Sequence, residues 1–130
     1  MSDISADETA IRRFVVRFYE LARTDSELSG LFEKAIVNWD EHIGLVCDFW
    51  SHTILGTKRY KGPAYVAHIH LPIEWSHFDR WLAAAQQAST ETLTPELAER
   101  VMARGRHMTA SFKAGLFPFK GPDGTWAKTP

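Results

Sequence analysis

Arg59-Tyr-Lys-Gly-Pro63-Ala-Tyr-Val-Ala-His68-Ile-His70-Leu-Pro72-Ile-Glu-Trp-Ser-His77-Phe-Asp-Arg-Trp81-Leu82 is the stretch on which the fold turns. Pro63 suits the first turn of a helix, where a missing N–H costs nothing. Pro72 stops that helix, because the residue before a proline is driven out of helical geometry. The stretch therefore predicts a helix of about two turns, from Pro63 to near Leu71, carrying His68 and His70. So short a helix builds little core. It is a good mount for one imidazole.

Longer helices are expected on both sides. Ser5-Ala-Asp-Glu8 has the form of a capping box, and Ile11, Phe14, Val15, Phe18 and Ala22 follow as one apolar stripe. Tyr19 sits at the stripe's edge, so its ring can be buried while its hydroxyl still needs a partner. After a break at Thr24-Asp25-Ser26, a second helix from about Ser26 to Ala35 buries Leu28, Leu31 and Phe32. Asn38-Trp39-Asp40 reads as a turn with a capping residue, leading into a third helix from about Asp40 to Leu55, which Gly56 can end. His42, Val46, Phe49, Trp50 and Thr53 share one face of it.

Beyond Pro72, Phe78, Trp81, Leu82 and Ala85 face inward on a helix from about Glu74 to Ser89. Thr94-Pro95 starts the last helix, which runs to about Leu116 with Leu97, Val101, Met108 and Phe112 in its stripe. Arg100, Arg104 and Arg106 are expected to be largely solvated. The tail at 118–130 has no period and reads as irregular. No stretch alternates as a strand would, so the class is all-α: two long helices before the short histidine helix and two after it, able to form a sandwich over a central space.

Composition narrows the function. The 130 residues fit one domain, with a formal net charge of −1 that gives no reason to expect nucleic acid or an anionic membrane as partner. No apolar run approaches the ~20 residues of a membrane span, and the acidic N-terminus lacks a secretory core. A lone cysteine, Cys47, excludes an intrachain disulfide and fits a reducing compartment, so the expected location is cytoplasmic. Five Trp and eight Phe are more flat apolar surface than a small helical core usually needs. They are either large core residues or the walls of a site for a flat ligand.

Most familiar chemistries find no support. On a helix His68 and His70 point roughly 200° apart, given about 3.6 residues per turn, so they cannot chelate one zinc ion together. There is no nucleophile elbow, no phosphate loop, and the carboxylate pairs sit at helix N-termini where the dipole favours them. One arrangement makes joint sense of aromatics and histidines: a single imidazole ligating haem iron, faced by polar donors in an apolar pocket. Tyr19, His42 and Trp81 each place such a donor on an apolar helical face. A haem-free helical interaction module, with the aromatics as core and His68 incidental, is the competing class.

Phe18-Tyr19-Glu20, Leu31-Phe32, His42 with Phe49-Trp50, Tyr60-Lys-Gly-Pro63, His68-Ile-His-Leu-Pro72 and Phe78-Asp-Arg-Trp81-Leu82 follow one another in an order that resembles the third group of truncated haemoglobins. The absence of any Gly-Gly pair also fits that group. The resemblance covers about residues 9–117 and implies a two-over-two helical sandwich around one b-type haem. It implies His68 as the proximal iron ligand, Tyr19, His42, Val46 and Trp81 as distal residues, and Phe32 and Trp50 beside the ring. It leaves the propionate partners open, with Arg59, Tyr60 and Lys61 as candidates. The implied ligands are dioxygen, nitric oxide, carbon monoxide or peroxide. Redox turnover would need a separate reductase, since nothing in the chain resembles a flavin or nicotinamide site; a plain oxygen carrier is the alternative.

Overall fold

Spacings of three and four become helix nearly everywhere they occur. The structure, a computed structural model, describes residues 4–62 and 71–129; the short helix expected from Pro63, with His68 and His70, lies outside them. Helix α1 spans Ile4–Thr24 and buries Ile11, Phe14, Val15, Phe18 and Ala22 as one face. Burying side chains of that size contributes about 1.5–3 kcal/mol each. The capping box expected at its start is not formed. Ser5 lies inside the helix with its carbonyl taking the Thr9 hydroxyl, and Glu8 turns away to Ser51 and Arg59. A carboxylate gains more from a guanidinium than from one backbone N–H.

Helix α2 (Leu28–Ala35) starts later than Ser26, because the Asp25 carboxylate takes the N–H groups of Glu27 and Leu28 and holds the intervening residues as a turn. Helix α3 (Trp39–Leu55) begins at its Asn38 cap, whose side-chain oxygen accepts from the Glu41 N–H at 3.1 Å. It ends at Gly56, whose φ of +79° is the left-handed conformation that glycine adopts without strain. Helix α4 covers Trp75–Thr92, and α5 covers Pro95–Leu116 behind the predicted Thr94 cap and N-terminal proline.

Helices α1 and α3 pack as one layer and α4 and α5 as the other, with α1 lying across α4, α3 touching α5, and α2 bridging α1 and α4. The expected all-α, two-over-two truncated-globin sandwich is therefore the fold observed. Its principal core lies between the layers, around Phe14, Phe18, Trp50, Ala88 and Val101. A second cluster, Leu31, Ile73, Phe78 and Phe117, extends to Leu71 and Phe112. No described helix is long and apolar enough to cross a membrane.

Two further expectations need correction. The tail is not wholly irregular: β1 (Phe119–Lys120) pairs antiparallel with β2 (Trp126–Ala127). Gly124 at φ +86° and the Asp123 carboxylate, which accepts from the Thr125 N–H and hydroxyl, set the turn between them. Nor is every α5 arginine largely solvated: Arg104 is half-buried, its Nε enclosed and without an acceptor among the described residues. Arg100 and Arg106 are exposed as expected, and Arg100 donates to the Ile54 carbonyl in the last turn of α3, where carbonyls lack helical partners.

Candidate functional site

The two layers do not meet everywhere. Between α2, α3, α4 and the second half of α5 they leave a cavity of about 340 Å³, within the size range of small-molecule sites. Six of the seven residues singled out from the sequence fall in the described parts. All six, Tyr19, Phe32, His42, Val46, Trp50 and Trp81, line this one cavity; His68 lies outside the described residues, ahead of the lining residue Leu71.

Tyr19 is the most informative of them. Its ring packs edge-on against Phe18 at 4.9 Å, Phe32 at 5.6 Å and Trp39 at 5.4 Å. That cage leaves it only 6% exposed, and its hydroxyl finds the partner it requires, His42 Nε2 at 2.7 Å. Burial, aided by the nearby Cys47 thiol, pushes the phenol well above its ordinary pKa. Tyr19 is therefore a neutral phenol with one O–H proton near neutral pH. If that proton goes to His42, the imidazole is the acceptor; if His42 carries its proton on Nε2, it donates to Tyr19 and leaves the phenol O–H for the cavity.

Trp81 sits half-buried with its ring 5.4 Å from Phe18. The room for it comes from α5: a Cβ at Gly105 would lie 3.2 Å from Trp81 Cζ3. That helical glycine was unremarked in the sequence, because its use depends on a neighbour 24 positions away. Trp50 is core first, 3% exposed and edge-on to Phe14 at 5.6 Å, and reaches the cavity with its remaining edge.

Several lining residues went unassigned. Leu45, an apolar side chain left 52% exposed, stands at the rim on the same helix as Val46 and Phe49. His77 lines the cavity from the first turn of α4, four residues before Trp81 and so on the same face, a spacing readable in advance. Its Nδ1 accepts the Glu74 backbone N–H at 2.8 Å, which places the proton of the neutral ring on Nε2. Trp39, read from the sequence only as part of a turn, is ringed by Tyr19 and His42.

Of the three candidate propionate partners, Arg59 is otherwise engaged. It pairs with Glu8 and with Asp48, and donates to the buried Ser51 hydroxyl at 3.2 Å. Ser51 gives its own proton to Glu8 at 2.7 Å, so Thr57 donates to Ser51 at 2.8 Å. Arg59 and Ser51 hold the Glu8 carboxyl below the usual range against the opposing effect of burial. This network ties the connector after Gly56 to α1 and α3. Tyr60 does line the cavity, edge-on to Phe49 at 5.2 Å, and Lys61 is exposed.

The donor set and the lining fit a flat, apolar macrocycle. Aromatic rings of Phe32, Phe49, Trp50, Phe78, Trp81 and Phe112 line it from both layers, and the polar side chains among the lining are few, with Tyr19 and His42 paired to each other. A two-layer helical sandwich holding such a cavity is the architecture of a globin. The chain belongs to the bacterial-like globin family, whose model matches residues 3–113. It is 25% identical over 120 residues to the group 3 truncated hemoglobin ctb of Campylobacter jejuni, covering 88% of this chain and 94% of that protein. The crystal structure of the group III truncated hemoglobin from Campylobacter jejuni superposes with a TM-score of 0.83 at 25% identity, covering 88% and 94% of the two chains. Membership in a globin family implies a haem.

Proposed function

We propose that this globin binds dioxygen and other diatomic gases reversibly on a b-type haem ligated by His68. The observation that carries the reading is the buried Tyr19 hydroxyl, 2.7 Å from His42 Nε2 in a largely apolar wall. When bound, a haem would supply an iron centre able to take a diatomic gas. Everything else falls to side chains. Tyr19 stays protonated because its phenolate would be stranded in an apolar cage. His42, as the Nε2–H tautomer, donates to the phenol oxygen and turns the phenol O–H toward the guest. Trp81 adds an indole N–H, which can only donate. Val46, Phe32 and Trp50 exclude water from the guest, so each of these bonds acts in a low-dielectric site.

A neutral hydrogen bond contributes about 1 kcal/mol net, and 1.4 kcal/mol is a factor of ten, so two donors slow oxygen release by roughly ten-fold or more. The test compares oxygen dissociation in the wild type, Tyr19→Phe and Trp81→Phe. Faster release in the variants is expected; unchanged rates in both remove these donors from the mechanism.

Tight retention suits oxidation of nitric oxide or peroxide chemistry better than delivery, because donors that hold oxygen also polarise an O–O bond. Electrons for turnover would come from a separate reductase. Mixing the oxygenated protein with nitric oxide in a stopped-flow instrument separates the two roles. Rapid oxidation with slow oxygen release is expected; sluggish oxidation with fast release returns the protein to the carriers.

A further inference from the structure

Behind the Tyr19–His42 pair stands a block that the proposed gas chemistry leaves unexplained. Tyr19 and Arg23 are four residues apart on one face of α1, and Trp39 and His42 three apart on one face of α3. The Trp39 ring meets Tyr19 edge-on at 5.4 Å and His42 at 6.1 Å and 83°. On Trp39 itself rests the Arg23 guanidinium, 4.1 Å from the ring centroid. Arg23 is tied in turn to Glu33 of α2, Nε to Oε1 at 3.4 Å. Three helices thus converge on one indole that does not line the cavity but braces two residues that do.

We propose that Trp39 is the positioning residue that holds His42 inward against Tyr19, and that Arg23 with Glu33 clamps it there. The inference rests on the reading of Tyr19 as a donor to a bound gas. His42 is half-buried at the first turns of α3, so its imidazole has an alternative outside the cavity, in water. Swinging outward breaks its ring contact with Trp39. A cation over an indole face and edge-on aromatic contacts are each modest attractions, enough to decide between two side-chain positions. With Trp39 in place the pair acts as a unit and presents one arrangement of donors. Without it His42 divides its time, and Tyr19 reaches the guest in two hydrogen-bonding states.

The infrared stretch of carbon monoxide on the reduced, haem-loaded protein reads those states, since a donor near its oxygen lowers the frequency. Wild type is expected to show one narrow band. Trp39→Leu is expected to add a second, the inward-to-outward balance of His42 shifting about two- to ten-fold, the size of one aromatic contact. Trp39→Phe, which keeps a ring edge, largely restores the single band. In a His42→Leu background Trp39→Leu should change nothing, because the residue it positions is gone. An unchanged band in Trp39→Leu, or the same shift with His42 already replaced, overturns the proposal. Should Trp39→Leu fail to hold haem, Arg23→Gln, an exposed change that loosens the clamp, decides: a second band supports the latch and a wild-type band refutes it. No carbonyl band in the wild type would refute instead the gas-binding reading beneath.

Discussion

The two ends of the cavity are built on opposite principles. Around Tyr19, rings from three helices enclose polar atoms that are paired at short range, phenol to imidazole and guanidinium over indole. Behind the wall at Phe117 no buried polar atom is enclosed among the described residues: Phe78 and Trp75 meet that ring edge-on, Leu31 and Ile73 fill in, and the charges over the rings are those of Lys113 over Trp75 and Lys128 over Phe117. The first end is costly to build, since each buried polar atom needs its partner. The second is inexpensive and simply seats Leu71 and the residues after it. Such a difference marks where specificity is held and where support suffices. In the proposed function the gas is met by the Tyr19 side.

Changes should break these two ends differently, and the largest effect belongs to neither. Replacing His68 by Ala is expected to abolish stable haem binding, read as loss of the Soret band, while His70→Ala and His77→Ala retain it. Loss with His70→Ala and not with His68→Ala would shift the register of the ligand-bearing stretch.

Next is Phe117→Ala, in the apolar end. A buried phenylalanine, 4% exposed, cut to alanine costs about 3–5 kcal/mol. Denaturant unfolding should show the loss, with hydrogen bonding to a bound gas unchanged among molecules still folded. A change in oxygen release as large as that of Tyr19→Phe would mean the two ends are not separate.

Gly105→Ala probes the polar end from outside. Its new Cβ would stand 3.2 Å from the Trp81 ring, which has to give way by a few tenths of an ångström. Overpacking costs about 1–3 kcal/mol and the helix regains about 1 kcal/mol on losing a glycine, so the melting temperature should fall slightly. The sharper readout is oxygen release, altered as Trp81 shifts. Unaltered release would show that Trp81 is free to adjust.

The smallest effect is alkaline. Burial raises the Tyr19 pKa in the folded chain above its unfolded value of about 10. Below that pH the phenol makes no difference to the pH dependence of stability. Above it the unfolded chain releases a proton that the folded chain keeps, so stability falls as pH rises. Wild type should lose stability in alkali more steeply than Tyr19→Phe; parallel curves would mean that the phenol is not caged.

Much of this was legible in the residues, and the reasons for the remainder are physical. Periodicity located α1 and α5 because their apolar faces are long and regular, and Thr94-Pro95 and Gly56 are local signals that need no tertiary help. The capping box at Ser5-Glu8 failed because a partner 51 positions away, Arg59, competes for Glu8. The same pairing occupies Arg59, one of the three propionate candidates. That Tyr19, His42 and Trp81 share one cavity was legible by type and face, but the bracing of Trp39 by Arg23 was not, since an indole at a helix start gives no sign of what will lie over it. Gly105 is the same lesson in reverse, a residue whose use lies wholly in its neighbour.

The central claim, that this sandwich encloses a haem, is tested most directly by the visible spectrum of the purified protein, before and after adding hemin and then reductant. A Soret band that saturates at one haem per chain, sharpens on reduction and shifts with carbon monoxide is the expected result. No Soret band after hemin is added, from protein that is folded by circular dichroism, would contradict the claim and leave a helical module whose aromatic residues are only core.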